Sequence, residues 1–389
     1  MHILIGVICF IGLSGCSTWT QTADRMRSLA SEKKEFKVHS VWNKKTVSET
    51  LNTQRKMNRM SPILVGDKVI AGNAYDGISI LSNKNGKLLS KISVENGMEA
   101  SAVVKNQTLF VGASNGEFYS IDIQSGQVNW SFKTNAENIG EPNIDDLGRV
   151  YFLAGNNILY CLDSLTGKQI WLYARQDTAN FTIRGASKPV IDNKLVYIGF
   201  SDGSFVSLDS DKGSIKWEVF LNKNKKFRDI DSSAVIDGNQ IFISGYDDHL
   251  YVLDKSTGAQ LWKVLGGGYQ PVSIFNNKVF YPTSQGQVFA LNRDNGQKIW
   301  QYDLTEGIAT QVKYYKGMIV FGESQGKLLF LDAQTGKNLG GFEPGRGIFS
   351  TPSVDEANNR IYFISGEGNI YSIEAQWGRP TWLKDELAL

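Results

Sequence analysis

Residues 159–171 read LYCLDSLTGKQIW, and close variants of that phrase recur along the chain. Aligned on its glycine, the phrase returns at Gly86, Gly126, Gly167, Gly213, Gly258, Gly296, Gly336 and Gly378, at intervals of 40, 41, 46, 45, 38, 40 and 42 residues. A period of roughly 40 to 45 residues belongs to a repeat architecture, either paired helices or the blades of a propeller. The local pattern separates the two. Phe118, Ser120 and Asp122 share one face of an extended segment and Tyr119 and Ile121 the other, an alternation of two that no helix produces. Such runs are separated by short Gly and Asn turns, as at Ser201-Asp202-Gly203 ahead of residues 204–209. Eight copies predict an all-β chain: an eight-bladed β-propeller with four-stranded antiparallel blades.

Four residues before the repeat glycine stands Asp122, Asp163, Asp209, Asp254 or Asp332, replaced by Ser82, Asn292 and Glu374 in the other copies. A carboxylate there accepts hydrogen bonds from the N–H groups of the turn that follows it, and the glycine supplies the positive φ. The acids are turn-makers on this reading, not catalytic pairs. Four residues after the glycine comes Trp130, Trp171, Trp217, Trp262, Trp300 or Trp382, while Ser90 and Gly340 break the pattern. A large flat ring at a fixed place packs between one blade and the next. The phrase, A-x-D-x-x-T-G-x-x-x-W in general form, resembles the tryptophan-docking motif of the quinoprotein-type propellers over about residues 40–380. That likeness speaks to architecture and weakly to chemistry.

An open propeller would leave unpaired strand edges. Residues 38–47, an alternating stretch around Trp42, lie upstream of the first full blade. They are expected to supply the outer strand of the last blade, whose other strands come from about residues 349–374. Trp382 also falls in register and competes for that place.

With 41% hydrophobic and 21% charged residues, the 389-residue chain can bury a large core, and its net charge of +2 gives no basic field, so nucleic acid is not an expected partner. Residues 3–13 form an almost unbroken apolar run, too short to span a bilayer but of the length of a signal-peptide core. Leu13-Ser14-Gly15-Cys16 resembles the lipobox of bacterial lipoproteins. The resemblance implies cleavage before Cys16, acylation of that residue and, with Ser17 next, sorting to the outer membrane. Only Met1 and His2 precede the run, without the usual Lys or Arg. The expected division is a signal peptide over 1–15, a lipidated start and charged tether over 16–37, the propeller over 38–380 and a tail over 381–389. Cys9 would leave with the signal and Cys16 would carry lipid, so Cys161 would have no disulfide partner. It stands where other copies have Ser120, Ser207, Val252, Ala290 and Ser372, a slot for a small buried residue.

No HExxH or P-loop spacing and no adjacent cysteine pair occurs. Of the three histidines, His2 falls in the signal, His39 lies near the tether and His249 sits in a blade turn. No catalytic group, metal site or cofactor is therefore expected. The two long intervals are the distinctive feature. Their extra residues follow a tryptophan in successive blades, 172–187 after Trp171 and 218–233 after Trp217, so both insertions should emerge side by side on one face, where repeat proteins place binding loops. The first contains Phe181-Thr182-Ile183-Arg184-Gly185 and the second Phe227-Arg228-Asp229-Ile230-Asp231. Apolar residues flanking an arginine, beside two acids, make a small recognition patch in which Arg184 pairs with Asp229 or Asp231, or reaches a partner. Two solvated loops with a local salt bridge are the plain alternative. Lys223, Lys225, Lys226 and Arg228 add basic charge suited to steering an acidic partner.

At these stretches the chain resembles the BamB-type propeller lipoproteins of the outer-membrane β-barrel assembly machinery. Phe181, Ile183 and Arg184 match the family's hydrophobic-x-hydrophobic-Arg-Gly string, with Phe where Leu is usual, and Asp229 and Asp231 match its Asp-x-Asp. The resemblance implies that these five residues bind a POTRA domain of the barrel-forming subunit BamA. It implies a non-enzymatic scaffold, lipid-anchored on the periplasmic side of the outer membrane beside other assembly-machinery lipoproteins, and contact with unfolded outer-membrane proteins. Two other readings stay open: a quinone-dependent dehydrogenase or small-molecule-binding propeller, and a propeller lipoprotein serving a different envelope partner.

Overall fold

The computed structural model describes residues 34–47, 57–94, 97–99, 101–175, 187–222, 228–246 and 249–378. It divides into a large unit, His39–Glu374, and a small one formed by Met1–Val38 with Ala375–Leu389. In the small unit Phe36 and Trp377 meet with ring centroids 5.4 Å apart.

The described residues form eight four-stranded antiparallel sheets and no helix. Seven sheets, blades 1 to 7, are built from four consecutive strands; in blade 3 these are Asn143–Ile144, Arg149–Ala154, Ile158–Asp163 and Gln169–Ala174. Blade 8 takes three strands from the C-terminal region, Ser353–Asp355, Arg360–Ile364 and Asn369–Gly378, and its outer strand from Glu35–Lys45. The N-terminal closure expected around Trp42 is therefore present, with the strand beginning three residues before position 38. The inner strand of blade 8, Ser353–Asp355, lies against that of blade 1, Ile63–Val65, and the Ser353 hydroxyl donates to the Pro62 carbonyl across the join.

The middle strands of a blade are apolar on both faces because each face packs on a different neighbour. Tyr151, Leu153, Leu159 and Cys161 of blade 3 share a core with Val196, Ile198, Val206 and Leu208 of blade 4. The intervening residues Val150, Phe152, Tyr160 and Leu162 face blade 2 and meet Phe110 and Phe118. The burial of Cys161 in this core pushes its thiol up to about 12, which suits a packing residue and not a nucleophile.

The recurring tryptophan is a lock between blades. A Cβ on Gly167, Gly213, Gly258, Gly296 or Gly336 would strike the ring of Trp130, Trp171, Trp217, Trp262 or Trp300 on the preceding blade, and one on Gly86 would strike Trp42. The indole N–H of Trp130, Trp171 and Trp217 donates to the carbonyls of Ser164, Ser210 and Lys255 at 3.0, 2.9 and 3.2 Å. Trp42 does the same to Asn83 at 3.0 Å. A register shift beside Trp130, Trp171, Trp217, Trp262 and Trp300 sets each ring opposite a fixed cross-strand partner, as in Trp171 opposite Cys161 and Trp300 opposite Ala290. Where the tryptophan is missing the sizes reverse: Ser90 faces Ile80 and Gly340 faces Phe330. Beside Gly126 the place of the missing ring is taken by Ser90 and Ile92 of the same outer strand.

The acids before the glycines make Asx turns. Asp163 Oδ1 accepts the N–H groups of Leu165 and Thr166 at 3.2 and 2.8 Å and the Thr166 hydroxyl at 2.7 Å. These bonds, the hydroxyl's first, hold its carboxyl below the usual carboxylate range. The eighth copy departs from this pattern. Gly378 has no positive φ, and Glu374 lies inside the long strand Asn369–Gly378, where it pairs with Arg360 and, at 3.0 Å, with His39 of the N-terminal strand. With the outer strand arriving from the N-terminus, no turn is needed there. Trp382 lies outside the described residues.

Candidate functional site

Within a blade, register places Arg149 opposite Asp163 at one end of the strands and Ala154, Ile158 and Ala174 together at the other. Each blade-to-blade connection leaves from this second end, so the two long insertions share one face of the large unit. Their described flanks are stitched together. Arg175, just ahead of the first insertion's undescribed part, pairs with Asp202 and Glu218 of blade 4 and stands over the rings of Phe200 and Phe220, 5.8 and 5.4 Å from their centroids. Where the connections re-enter their blades, the Ser187 hydroxyl donates to the Ser232 carbonyl at 3.0 Å and Lys188 N–H to Ser233 Oγ at 3.2 Å. The two insertions are thus rooted side by side, as their positions in the repeat predict.

Phe181, Ile183 and Arg184 lie outside the described residues, as do Lys223, Lys225 and Lys226. Asp229 and Asp231 are placed, and in unlike settings. Ile230 between them is fully buried in the core joining blades 4 and 5, and its N–H donates to the Phe200 carbonyl at 3.1 Å. Asp229 is itself 0% exposed, and its carbonyl accepts from Tyr246 N–H at 3.1 Å. A side chain so placed shapes the loop and does not present a face to solvent. Asp231 lines an open cavity of about 760 Å³ together with Arg59, Glu99, Tyr246 and Tyr269. Burial first, then the neighbouring charge of Asp229, pushes the Asp231 carboxyl up to about 8, with Arg59 opposing.

That cavity follows the axis of the blades. Every blade contributes the residue two positions ahead of its inner strand, among them Ser61, Ser101, Glu141, Lys188, Ser233 and Gln311. Sequence reasoning passed over these residues, although the repeat register alone aligns them. Their chemical types differ from blade to blade, so they leave no motif. His249 opens the strand His249–Asp254 with its ring 5.6 Å from that of Tyr251. No group of three His, Cys, Asp or Glu is arranged to hold a metal ion among the described residues.

Comparison with known proteins bears on this arrangement. The profile of a family described as "Outer membrane protein assembly factor BamB" matches residues 77–302 and 247–388. The protein of that name from Yersinia pestis is 24% identical over 390 residues, covering 95% of this chain and 98% of the relative. The crystal structure of BamB from Moraxella catarrhalis superposes with a TM-score of 0.75 at 20% identity, covering 87% of this chain and 100% of that one. The quinohemoprotein alcohol dehydrogenase of Comamonas testosteroni shares the fold at a TM-score of 0.72 and 12% identity, over 86% of this chain and 76% of its own. Matched along most of its length by the family profile, with the blades and lock residues already described, the chain belongs to the outer membrane protein assembly factor BamB family.

Proposed function

We propose that the protein is a non-enzymatic scaffold of the outer-membrane protein assembly complex, held to the membrane through an acylated Cys16 and facing the periplasm. In this reading it binds a POTRA domain of the BamA-type barrel-forming subunit and assists folding and insertion of β-barrel proteins. The observation that carries it is the paired rooting of the two insertions: the Ser187–Ser232 bond and the Arg175 pairs with Asp202 and Glu218 hold both loops on one face in successive blades. Rigid roots under two long loops give a docking surface at low ordering cost. Phe181 and Ile183 pack on the partner, Arg184 and Asp231 orient it, and buried Asp229 sets the path of the second loop. Several acyl chains on one residue suffice for a lasting anchor, where one chain is marginal.

The test is capture of the barrel-forming subunit from solubilised envelopes by the native chain and by an Arg184→Ala, Asp231→Ala double variant, with both shown to be folded. Capture by the native chain and loss in the variant is the expected result. Equal capture by both would remove these residues from the interface, and capture by neither would remove the partner.

A further inference from the structure

The axial cavity is a feature that a docking scaffold does not require. It is about 760 Å³ in volume, within the range of roughly 300 to 1,000 Å³ typical of small-molecule sites. Its wall is sealed by bonds from blade to blade. Ser61 N–H donates to Ser101 Oγ at 3.1 Å, the Asn143 amide to the Pro189 carbonyl at 3.0 Å, and the Gln311 amide to the Val272 carbonyl at 3.3 Å. These bonds fix the lining in place before any ligand arrives, the condition for a preformed site.

The charges are sorted along the axis. Arg59, Glu99 and Asp231 lie four positions ahead of their inner strands, nearer the loops. Deeper in stand Glu141, Lys188 and Lys313, the last being the first residue of the inner strand Lys313–Tyr315. Lys188 Nζ engages Glu141. Lys313 Nζ donates to the neutral Gln311 Oε1 at 3.0 Å, which leaves two of its three N–H groups for other acceptors. Among the described residues of this deeper level, two ammoniums thus face one carboxylate. Desolvation pulls Lys313 below its ordinary range, with Lys188 adding to the effect and Glu141 opposing it, as expected for a cation short of anionic partners. Above this level the wall carries Tyr269, Phe349 and Ile139, and Ser233 and Thr351 line the cavity at the register of Glu141 and Lys188.

We infer that the axial cavity binds a small organic carboxylate, its anionic group held between Lys313 and Lys188 and its apolar or aromatic body against Tyr269 and Phe349. A carboxylate there accepts charge-assisted hydrogen bonds from a cation already stripped of water. No bond is made or broken; the site is for binding alone. The inference does not rest on the partner-docking loops: Glu141 and Lys313 lie outside them, and Lys188 roots the first through its backbone N–H while its side chain faces the cavity.

The experiment titrates benzoate into the full-length protein by calorimetry at constant ionic strength, with chloride as background and inorganic phosphate as a second anion. Saturable binding of one benzoate per chain is expected, weakened at least about tenfold in Lys313→Met, the loss of one charge-assisted hydrogen bond. Glu141→Gln removes the competing carboxylate and should tighten binding. The two variants move affinity in opposite directions, which a general disturbance of the fold does not do, and Glu141→Gln still tests the site if Lys313→Met fails to fold. Phosphate bound as well as benzoate would overturn the organic part of the assignment. Absence of saturable benzoate binding, or equal affinity in native protein and Glu141→Gln, would overturn the site.

Discussion

The indole of Trp171 lies flat against Gly213 of the next blade, so close that a Cβ on the glycine would sit 2.6 Å from ring atom Cε3, and its N–H donates to the Ser210 carbonyl at 2.9 Å. Gly213 has φ +67°, a conformation the turn requires and a side chain resists. Two independent demands therefore fall on one position. Gly213→Ala should cost about 2 to 4 kcal/mol, of which about 1 to 2 is backbone strain and the rest the collision. Trp171→Ala should cost about 3 to 5 kcal/mol from lost burial and a cavity. Once the ring is gone the collision is gone, so the double variant should be less destabilised than the sum of the two. Thermal and denaturant unfolding of the four proteins checks this; strict additivity would refute the lock.

Ring closure makes a second prediction. Trp42 is 8% exposed, packs against Gly86 and bonds Asn83, so it performs for the join of blades 8 and 1 what Trp171 performs between blades 3 and 4. Trp42→Ala should lower stability by about 3 to 5 kcal/mol, and deletion of residues 34–47 should prevent formation of a protease-resistant core. Survival of that core after the deletion would show that another segment supplies the outer strand.

Much of this architecture was legible because the repeat is spelled in residues with narrow physical roles. A glycine at positive φ, an acid heading a turn and a tryptophan across from a small residue each tolerate few substitutes, so they recur and can be counted. Gly378 and Glu374 mislead for the same reason: they keep the spacing of a turn while sitting in a continuous strand, and only the arrival of Glu35–Lys45 from the other chain end explains why. The repeat register aligns the axial positions, but the pairing of Glu141, Lys188 and Lys313 was not legible. They meet across the ring from blades 3, 4 and 7, and a period along the chain carries no information on which side chains face each other through its centre.

The roots of the insertions separate docking from stability. Arg175 and Arg149 both tie blade 3 to blade 4, through Asp202 and Glu218 in one case and through Asp211 and the Ser210 carbonyl in the other. They lie at opposite ends of the strands. Replacing Arg175 by leucine strands the partly buried Asp202 and Glu218, and replacing Arg149 strands the buried Asp145, while Asp211 is exposed; each change should cost about 1 to 3 kcal/mol, below the full figure for a buried pair because some water reaches these sites. Only Arg175→Leu should also reduce capture of the barrel-forming subunit, since only it frees the base of the first insertion. Equal capture by the two variants at matched stability would disconnect the roots from docking.

Asp231 gives the protein a pH dependence of defined sign. Its carboxyl, near Asp229 and Arg59, titrates at about 8 in the folded chain against an ordinary value of 3.8. Between these two values the folded state holds a proton that the unfolded state has released, so stability falls as pH rises through this window and levels off above it. Asp231→Asn removes the titration while keeping the shape. The variant and native protein should be equally stable at pH 3.5, and the variant should pull ahead steadily to pH 9, where the native chain must hold an ionised Asp231 beside Asp229. Arg59→Met should have the opposite effect at high pH, because it takes away the cation that moderates the pair. Unfolding midpoints measured from pH 3.5 to 9 for the three proteins test the assignment. Parallel curves for native protein and Asp231→Asn would mean that the carboxyl is solvated in the folded chain and that the mouth of the axial cavity is wetter than its geometry indicates.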